Sequence, residues 1–113
     1  MGTSVSRRDV MVGAAAFAAV LAPVASAAEA KVHEVEIKSF EFDPAHIQVR
    51  LGDTIRWTNR DLAPHTATAD EFGWDTEELA RGESGEIVVA MGMETSYFCV
   101  FHPHMTGTIE VIS

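Results

Sequence analysis

The sequence predicts an all-β fold arranged as a two-sheet β-sandwich. Apolar and polar residues alternate with a period of two in several segments, as where Val35 and Ile37 alternate with glutamates. Such alternation is typical of strands that bury one face. Turn signals separate the segments at Asp43-Pro44, at Gly52-Asp53 and from Gly82 to Gly85. Several short strands at this spacing are typical of a sandwich.

The alternating segments give the predicted strands in chain order. They lie at residues 34–37, 47–51, 55–57, 87–91, 97–101 and 109–111. Residues 70–81 show no clear alternation. We predict a loop there, with one helical turn around Glu77-Glu78-Leu79.

The first residues form a segment distinct from the predicted sandwich. Arg7-Arg8 precede an apolar, alanine-rich run over 12–24, and Ala25-Ser26-Ala27 has the small residues that a signal peptidase requires. We therefore predict an export signal at 1–27 and one domain at 28–113, delivered to the periplasm. The arginine pair resembles a twin-arginine signal, with an ordinary Sec signal as the alternative. A retained membrane anchor is disfavoured because the run is short and contains Pro23.

The charge of the chain restricts its partners. Eight basic and 17 acidic residues give a net charge of −9 at pH 7. This excess argues against nucleic acid, whose phosphates require Lys and Arg, and favours a protein partner with a basic docking face. We interpret the acidic residues of the 70–78 segment as a solvated loop rather than a dedicated docking patch. We expect a monomer that is not inserted in the membrane once the signal is removed.

One short segment concentrates groups that bind soft metals. Cys99 is the single cysteine, so the chain has no internal disulfide. In an oxidising compartment its thiol is expected to be buried or bound to metal. His102 follows three residues later and Met105 three after that, and a strand ending in a tight loop can turn all three towards one point. One more imidazole would complete a His₂Cys plane with an axial Met, a donor set that suits copper.

The second imidazole has a candidate in His65, which follows Pro64. His104 competes with His102 for the loop position, although we expect its side chain to point away from His102. His33 and His46 are expected at the surface. The alternative for Cys99 and Met105 is a purely structural role in the core.

These two segments resemble those of the cupredoxins, the blue-copper proteins of the amicyanin–plastocyanin type. Gly52-Asp53-Thr54-Ile55, continuing through Trp57 and Asn59 to Pro64-His65, is similar to the first copper-binding strand and loop of that family. Cys-x-x-His-Pro-x-Met-x-Gly, from Cys99 to Gly107, is similar to the ligand loop of amicyanins. The resemblance implies an eight-stranded Greek-key sandwich with one type 1 copper ion at one end.

The resemblance also implies roles for individual residues. His65, Cys99 and His102 would bind copper in a plane, with Met105 weak and axial. Asn59 would tie the two ligand loops together beside the sulfur. Val100 stands where the family commonly has Ser or Thr, so Asn59 must bond to backbone or water instead.

The implied function is electron transport and not enzymatic. The protein would pass single electrons in the periplasm, with an amine dehydrogenase as the donor and a c-type cytochrome as the acceptor. The alternative is a periplasmic copper carrier or chaperone, which would need labile sites with several Met or His; Met91 and Met93 are weak support for it. A structural zinc module is the weakest interpretation because Met is a poor zinc ligand.

Overall fold

The computed structural model describes residues 30–112, and the predicted β-sandwich is confirmed there. Eight strands form two four-stranded sheets, with strand orders β2-β1-β4-β6 and β3-β8-β7-β5. The strands are β1 Val32–Lys38, β2 Glu41–Asp43, β3 His46–Arg50, β4 Thr54–Asn59, β5 Thr68–Ala69, β6 Ser84–Val88, β7 Ser96–Cys99 and β8 His102–Ile112. The predicted export signal lies outside the described residues. Between residues 30 and 112, no helix is long and apolar enough to cross a membrane.

The first sheet is built on the parallel pairing of β1 with β4, in which Val35 lies opposite Trp57. Alternate residues of these strands point into the sandwich, as a pleated strand requires. Val35, Ile37, Ile55 and Trp57 are all fully buried. Because the two strands run in the same direction, the ends of both lie at one end of the sandwich, and this is the end where His65 is found.

The second sheet is built on β8, which pairs in parallel with β3 and antiparallel with β7. Gly107 of β8 lies opposite Tyr97 of β7, and a Cβ at this glycine would overlap the tyrosine ring. The ring is fixed from other sides by Phe42 and Trp57, with ring centroids 4.8 and 5.3 Å away. Only glycine therefore fits at position 107.

At the end of the sandwich remote from His65, a buried carboxylate links neighbouring strands through hydrogen bonds. Asp53 accepts hydrogen bonds from the Lys31 and Arg50 N–H groups, both at 2.9 Å, and its Oδ2 lies 2.7 Å from Nε2 of His33. Burial alone would raise the pKa of Asp53, but these donors outweigh burial and lower it to about 2. The ionised carboxylate therefore joins the beginning of β1 to the turn between β3 and β4.

The predicted helical turn around Glu77 is wrong. Glu77 has a positive φ of 67°, which an α-helical turn excludes. Instead, backbone bridges pair Thr68 with Asp75 and His65 with Leu79. The backbone of this loop therefore bonds to the segment that contains His65 and Thr68 instead of forming a helical turn.

The strand predicted over 87–91 also ends earlier than expected. β6 ends at Val88, and Gly92, with a φ of 78°, turns the chain beyond it. Met91 is consequently 84% exposed. Its alternation with Val89 reflects a turn that leaves the sheet, not a continued strand.

Candidate metal centre

Cys99 and His65 lie side by side at one end of the sandwich. Cys99 ends β7, and His65 lies in the loop after β4, where its backbone N–H and carbonyl both bond to Leu79. Both side chains are fully buried, and Nδ1 of His65 is 3.7 Å from Sγ of Cys99. The structure thus brings together two of the predicted ligands that are 34 residues apart in the chain.

A carboxylate determines which nitrogen of His65 faces the sulfur. Nε2 of His65 lies 2.8 Å from Oδ2 of Asp61. The same carboxylate accepts the Ser39 N–H on Oδ1 at 2.8 Å and the Phe40 N–H on Oδ2 at 2.9 Å. Burial alone would raise the pKa of this carboxyl, but its donors outweigh burial and lower the pKa below its ordinary value, so Asp61 is ionised at neutral pH. A carboxylate can only accept, so Nε2 of His65 carries a proton towards Asp61, and Nδ1 is the ring nitrogen that faces Cys99.

His102 completes a small group of rings. It begins β8 directly after the two-residue turn that follows Cys99, and its ring centroid lies 5.1 Å from that of His65. Phe40 contacts both imidazoles edge-on, with centroid separations of 5.1 Å to His65 and 4.8 Å to His102. His102 is partly exposed, whereas His65 is fully buried, so His102 is the imidazole nearer to solvent.

Met105 lies on the inward face of β8 and is 5% exposed. It lines a groove of about 540 Å³ together with His102, Phe40 and Phe42. The fourth predicted ligand therefore lines the same groove as the third.

The sulfur of Cys99 receives one backbone hydrogen bond, from the Thr66 N–H at 3.4 Å. The hydroxyl of Thr66 accepts the Val100 N–H at 3.0 Å. A threonine on the opposite loop therefore bonds the residue that lacks the usual hydroxyl. As expected from the sequence, Asn59 bonds to backbone: its amide donates to the carbonyls of Ala63 and Leu79 at 2.8 and 2.9 Å, and its Oδ1 accepts the Asp61 N–H at 2.8 Å. The expectation that Asn59 ties the two ligand loops together is wrong, because Thr66 makes the bonds to Cys99 and Val100.

Residues 11–111 match the family model described as a cupredoxin-like domain. The chain belongs to the cupredoxin family. This cupredoxin is 24% identical over 82 residues to amicyanin of Paracoccus denitrificans, and the match covers 68% of this chain but only 63% of the length of that amicyanin. The predicted kinship with amicyanin-like cupredoxins is confirmed.

Two solved structures show how widely the same architecture is used. A Cu(I) form of an amicyanin variant superposes with a TM-score of 0.65 at 26% identity, over 76% of this cupredoxin and 89% of that chain. A copper-containing nitrite reductase from Thermus scotoductus SA-01 superposes with a TM-score of 0.65 at 24% identity, over 72% of this cupredoxin but 22% of the reductase. The likeness to the reductase shows only that this cupredoxin has the same fold as one part of that larger enzyme.

The donor set of this cupredoxin fits a copper ion. Two imidazoles, one thiolate and one thioether are the ligands of blue-copper sites, and Nδ1 of His65 already faces the sulfur of Cys99. Among residues 30–112, no three His, Cys, Asp or Glu side chains are close enough to form a metal cage alone. The fit therefore depends on the pair of His65 and Cys99, with the ring of His102 next to that of His65 and Met105 lining the same groove as His102.

The remaining histidines lie outside this pair. His104 is exposed and lines the same groove as His102. The expectation that it points away from His102 is wrong, because residues two apart on a strand share a face. His46 is exposed on β3, as expected, whereas His33 has only 24% of its side chain exposed, beside Asp53.

Sequence reasoning missed three residues of the site. Asp61 carried no signal beyond its position four residues before His65, and Thr66 is one of several threonines in its loop. Phe40 had no signal at all, because only the tight turn between β1 and β2 brings it over the two imidazoles. In that turn Ser39 and Phe40 both have positive φ, at 54° and 59°, and the carboxylate of Asp61 accepts the N–H of each.

Proposed function

We propose that this cupredoxin is an exported, periplasmic one-electron carrier that holds a single copper ion with His65, Cys99, His102 and Met105. The observation that carries the proposal is the buried pair of His65 Nδ1 and Cys99 Sγ, 3.7 Å apart, with His102 adjacent. When bound, the copper ion supplies a site that alternates between Cu(I) and Cu(II). The residues around it hold that site and restrict its access to water.

The role of each residue follows from its surroundings. Asp61 fixes the tautomer and orientation of His65, as a hydrogen-bond partner behind a metal ligand does. Burial of Cys99 protects the thiolate from oxidation and from exchange. His102 is the partly exposed imidazole beside Phe40, so it offers the shortest route for an electron between the site and a docked protein. The natural partners in this proposal are redox proteins, and the net charge of −9 favours a donor or acceptor with a basic docking face.

An enzymatic role is less well supported than electron transfer. Four side chains would occupy the four positions around copper, which leaves none for a substrate. A copper carrier would need an exchangeable site, whereas Cys99 is fully buried and Met105 is 5% exposed. We therefore place electron transfer above copper delivery.

The test is the visible spectrum of the purified protein loaded with Cu(II). Wild type should show an intense band from thiolate-to-copper charge transfer, and Cys99→Ser should abolish it. His102→Ala and His104→Ala form a matched pair, because the two imidazoles line the same groove: the first should lose the band and the second should keep it. A colourless wild type would reject the copper assignment. Loss of copper to a mild chelator during cyclic voltammetry would favour the carrier.

A further inference from the structure

A chain of hydroxyl groups links the acidic loop to the residue that follows Cys99. Oγ1 of Thr68 donates to Oδ1 of Asp75 at 2.8 Å, and Oγ1 of Thr66 lies 2.9 Å from Oγ1 of Thr68. The Val100 N–H then donates to Oγ1 of Thr66 at 3.0 Å. Three consecutive bonds therefore connect a surface carboxylate with the turn that carries the sulfur ligand.

The carboxylate determines the direction of every proton in this chain. Oδ1 of Asp75 accepts from Thr68, so the single hydroxyl proton of Thr68 is committed to that bond. Thr66 must then donate to Thr68, and this leaves the lone pairs of the Thr66 oxygen for the Val100 N–H. Hydrogen bonds aligned in one direction polarise each other, so the charge of Asp75 makes the Thr66 oxygen a stronger acceptor.

The two hydroxyl groups in the middle of this hydrogen-bond chain are shielded from water. Thr66 is 3% exposed and Thr68 is 1% exposed, so water does not compete for their hydroxyl groups. Asp75 is held in place because its Oδ1 also accepts the Glu77 N–H at 2.9 Å. Thr66 acts a second time at the site, since its backbone N–H donates to Sγ of Cys99. One residue thus bonds both the sulfur and the turn that follows it.

We propose that Asp75 is a remote positioning residue for the Cys99 turn, acting through the hydroxyl groups of Thr68 and Thr66. This hydrogen-bond chain holds the Val100 N–H on the Thr66 oxygen. It also points the negative ends of the hydroxyl dipoles towards the site. A second effect of Asp75 rests on the proposed function: its negative charge favours Cu(II) over Cu(I). Loss of its charge should therefore raise the reduction potential.

The first measurement needs no copper. In the apoprotein, NMR reports the proton shift and the exchange rate of the Val100 amide in wild type, Thr68→Val, Thr68→Ser and Asp75→Asn. Thr68→Val keeps the shape and breaks the chain but leaves the Val100 N–H bonded to Thr66, so the amide proton should move upfield and exchange faster, by less than the roughly fivefold expected for the loss of a whole hydrogen bond. Asp75→Asn should move the resonance in the same direction by a smaller amount. Thr68→Ser keeps the hydroxyl group, so its resonance should stay at the wild-type position. Asp70→Asn removes an equal charge from the same loop without touching a hydroxyl of the chain, and should leave the resonance unchanged.

The second measurement uses the copper-loaded protein. Asp75→Asn and Thr68→Val should both raise the reduction potential and shift the visible band, and the Asp75→Asn effect should shrink in a Thr66→Val background. Equal effects of Asp70→Asn and Asp75→Asn on the potential would show that charge acts through space alone and would overturn the proposal. An unchanged chemical shift and exchange rate of the Val100 amide in both Thr68→Val and Asp75→Asn would also overturn it. If wild type binds no copper, the proposed function fails, and the amide measurement alone decides the positioning role.

Discussion

Replacing Asp53 with asparagine should destabilise the sandwich in a manner that depends on pH. The folded protein holds the pKa of Asp53 at about 2, compared with an ordinary value of 3.8. Each unit of pKa corresponds to about 1.4 kcal/mol, so ionised Asp53 stabilises the folded state by roughly 2 kcal/mol at neutral pH. This is a large part of the net stability of a small domain.

The sign follows from which state binds the proton first. As the pH falls below about 4, the unfolded chain protonates Asp53 while the folded protein does not, so acid favours unfolding. The stabilisation is complete above this range and is lost as the pH approaches 2. Urea unfolding of apo wild type and Asp53→Asn should therefore give free energies of unfolding that differ by roughly 2 kcal/mol at pH 6 and converge towards pH 2.

The matched control is Asp43→Asn. Asp43 is an exposed carboxylate that lies 3.4 Å from Nζ of Lys38, and exposed ion pairs contribute little. Its replacement should cost less than about 0.5 kcal/mol at every pH. A difference between wild type and Asp53→Asn that stays constant from pH 6 to pH 2.5 would refute the reasoning, as would an equal cost for Asp43→Asn.

Three further predictions concern the core and the site. Gly107→Ala should destabilise the protein by about 1–3 kcal/mol in thermal unfolding, because the new methyl group overlaps the confined ring of Tyr97; an unchanged melting temperature would show that the ring can move. Asp61→Ala removes an acceptor from three donors, and should cost roughly 2–4 kcal/mol and speed copper loss to a chelator by freeing His65; a normal dissociation rate would show that the metal alone orients that imidazole. Met105→Gln should keep copper and lower the reduction potential, since a harder oxygen favours Cu(II), and an unchanged potential in voltammetry would assign Met105 to the core.

The strands could be predicted from the sequence, and the ligands could be proposed from it, because each had a local signal. Alternation identified the buried faces of β1 and β4, and the spacing of Cys99, His102 and Met105 pointed to one loop. The loop over 70–81 was not accessible in the same way. Its residues bond to a segment several positions earlier in the chain, as Asp75 does to Thr68, and a period cannot reveal such a pairing.

The carboxylates of the described domain show the same difference. The composition alone predicts that the acidic side chains lie in solvent and repel one another. In the structure, Asp53, Asp61 and Asp75 each accept at least two hydrogen bonds. Glu94 likewise accepts the Glu71 and Gly73 N–H groups, at 2.5 and 2.9 Å. Part of the acidic excess therefore anchors loops, and this use could not be predicted because it depends on which N–H groups the fold leaves without a strand partner.

These anchors bear on how an electron carrier keeps its site constant. Transfer is fast when little moves between the two oxidation states, so the ligands should be held by the protein rather than by the metal. His65 is held by Asp61 and by its backbone bonds to Leu79, and the sulfur of Cys99 is held by the Thr66 N–H. All of these bonds are made between groups of the protein itself. If the proposed function is correct, the half of the site formed by His65 and Cys99 is rigid, and any movement on reduction is confined to the turn that leads to the partly exposed His102.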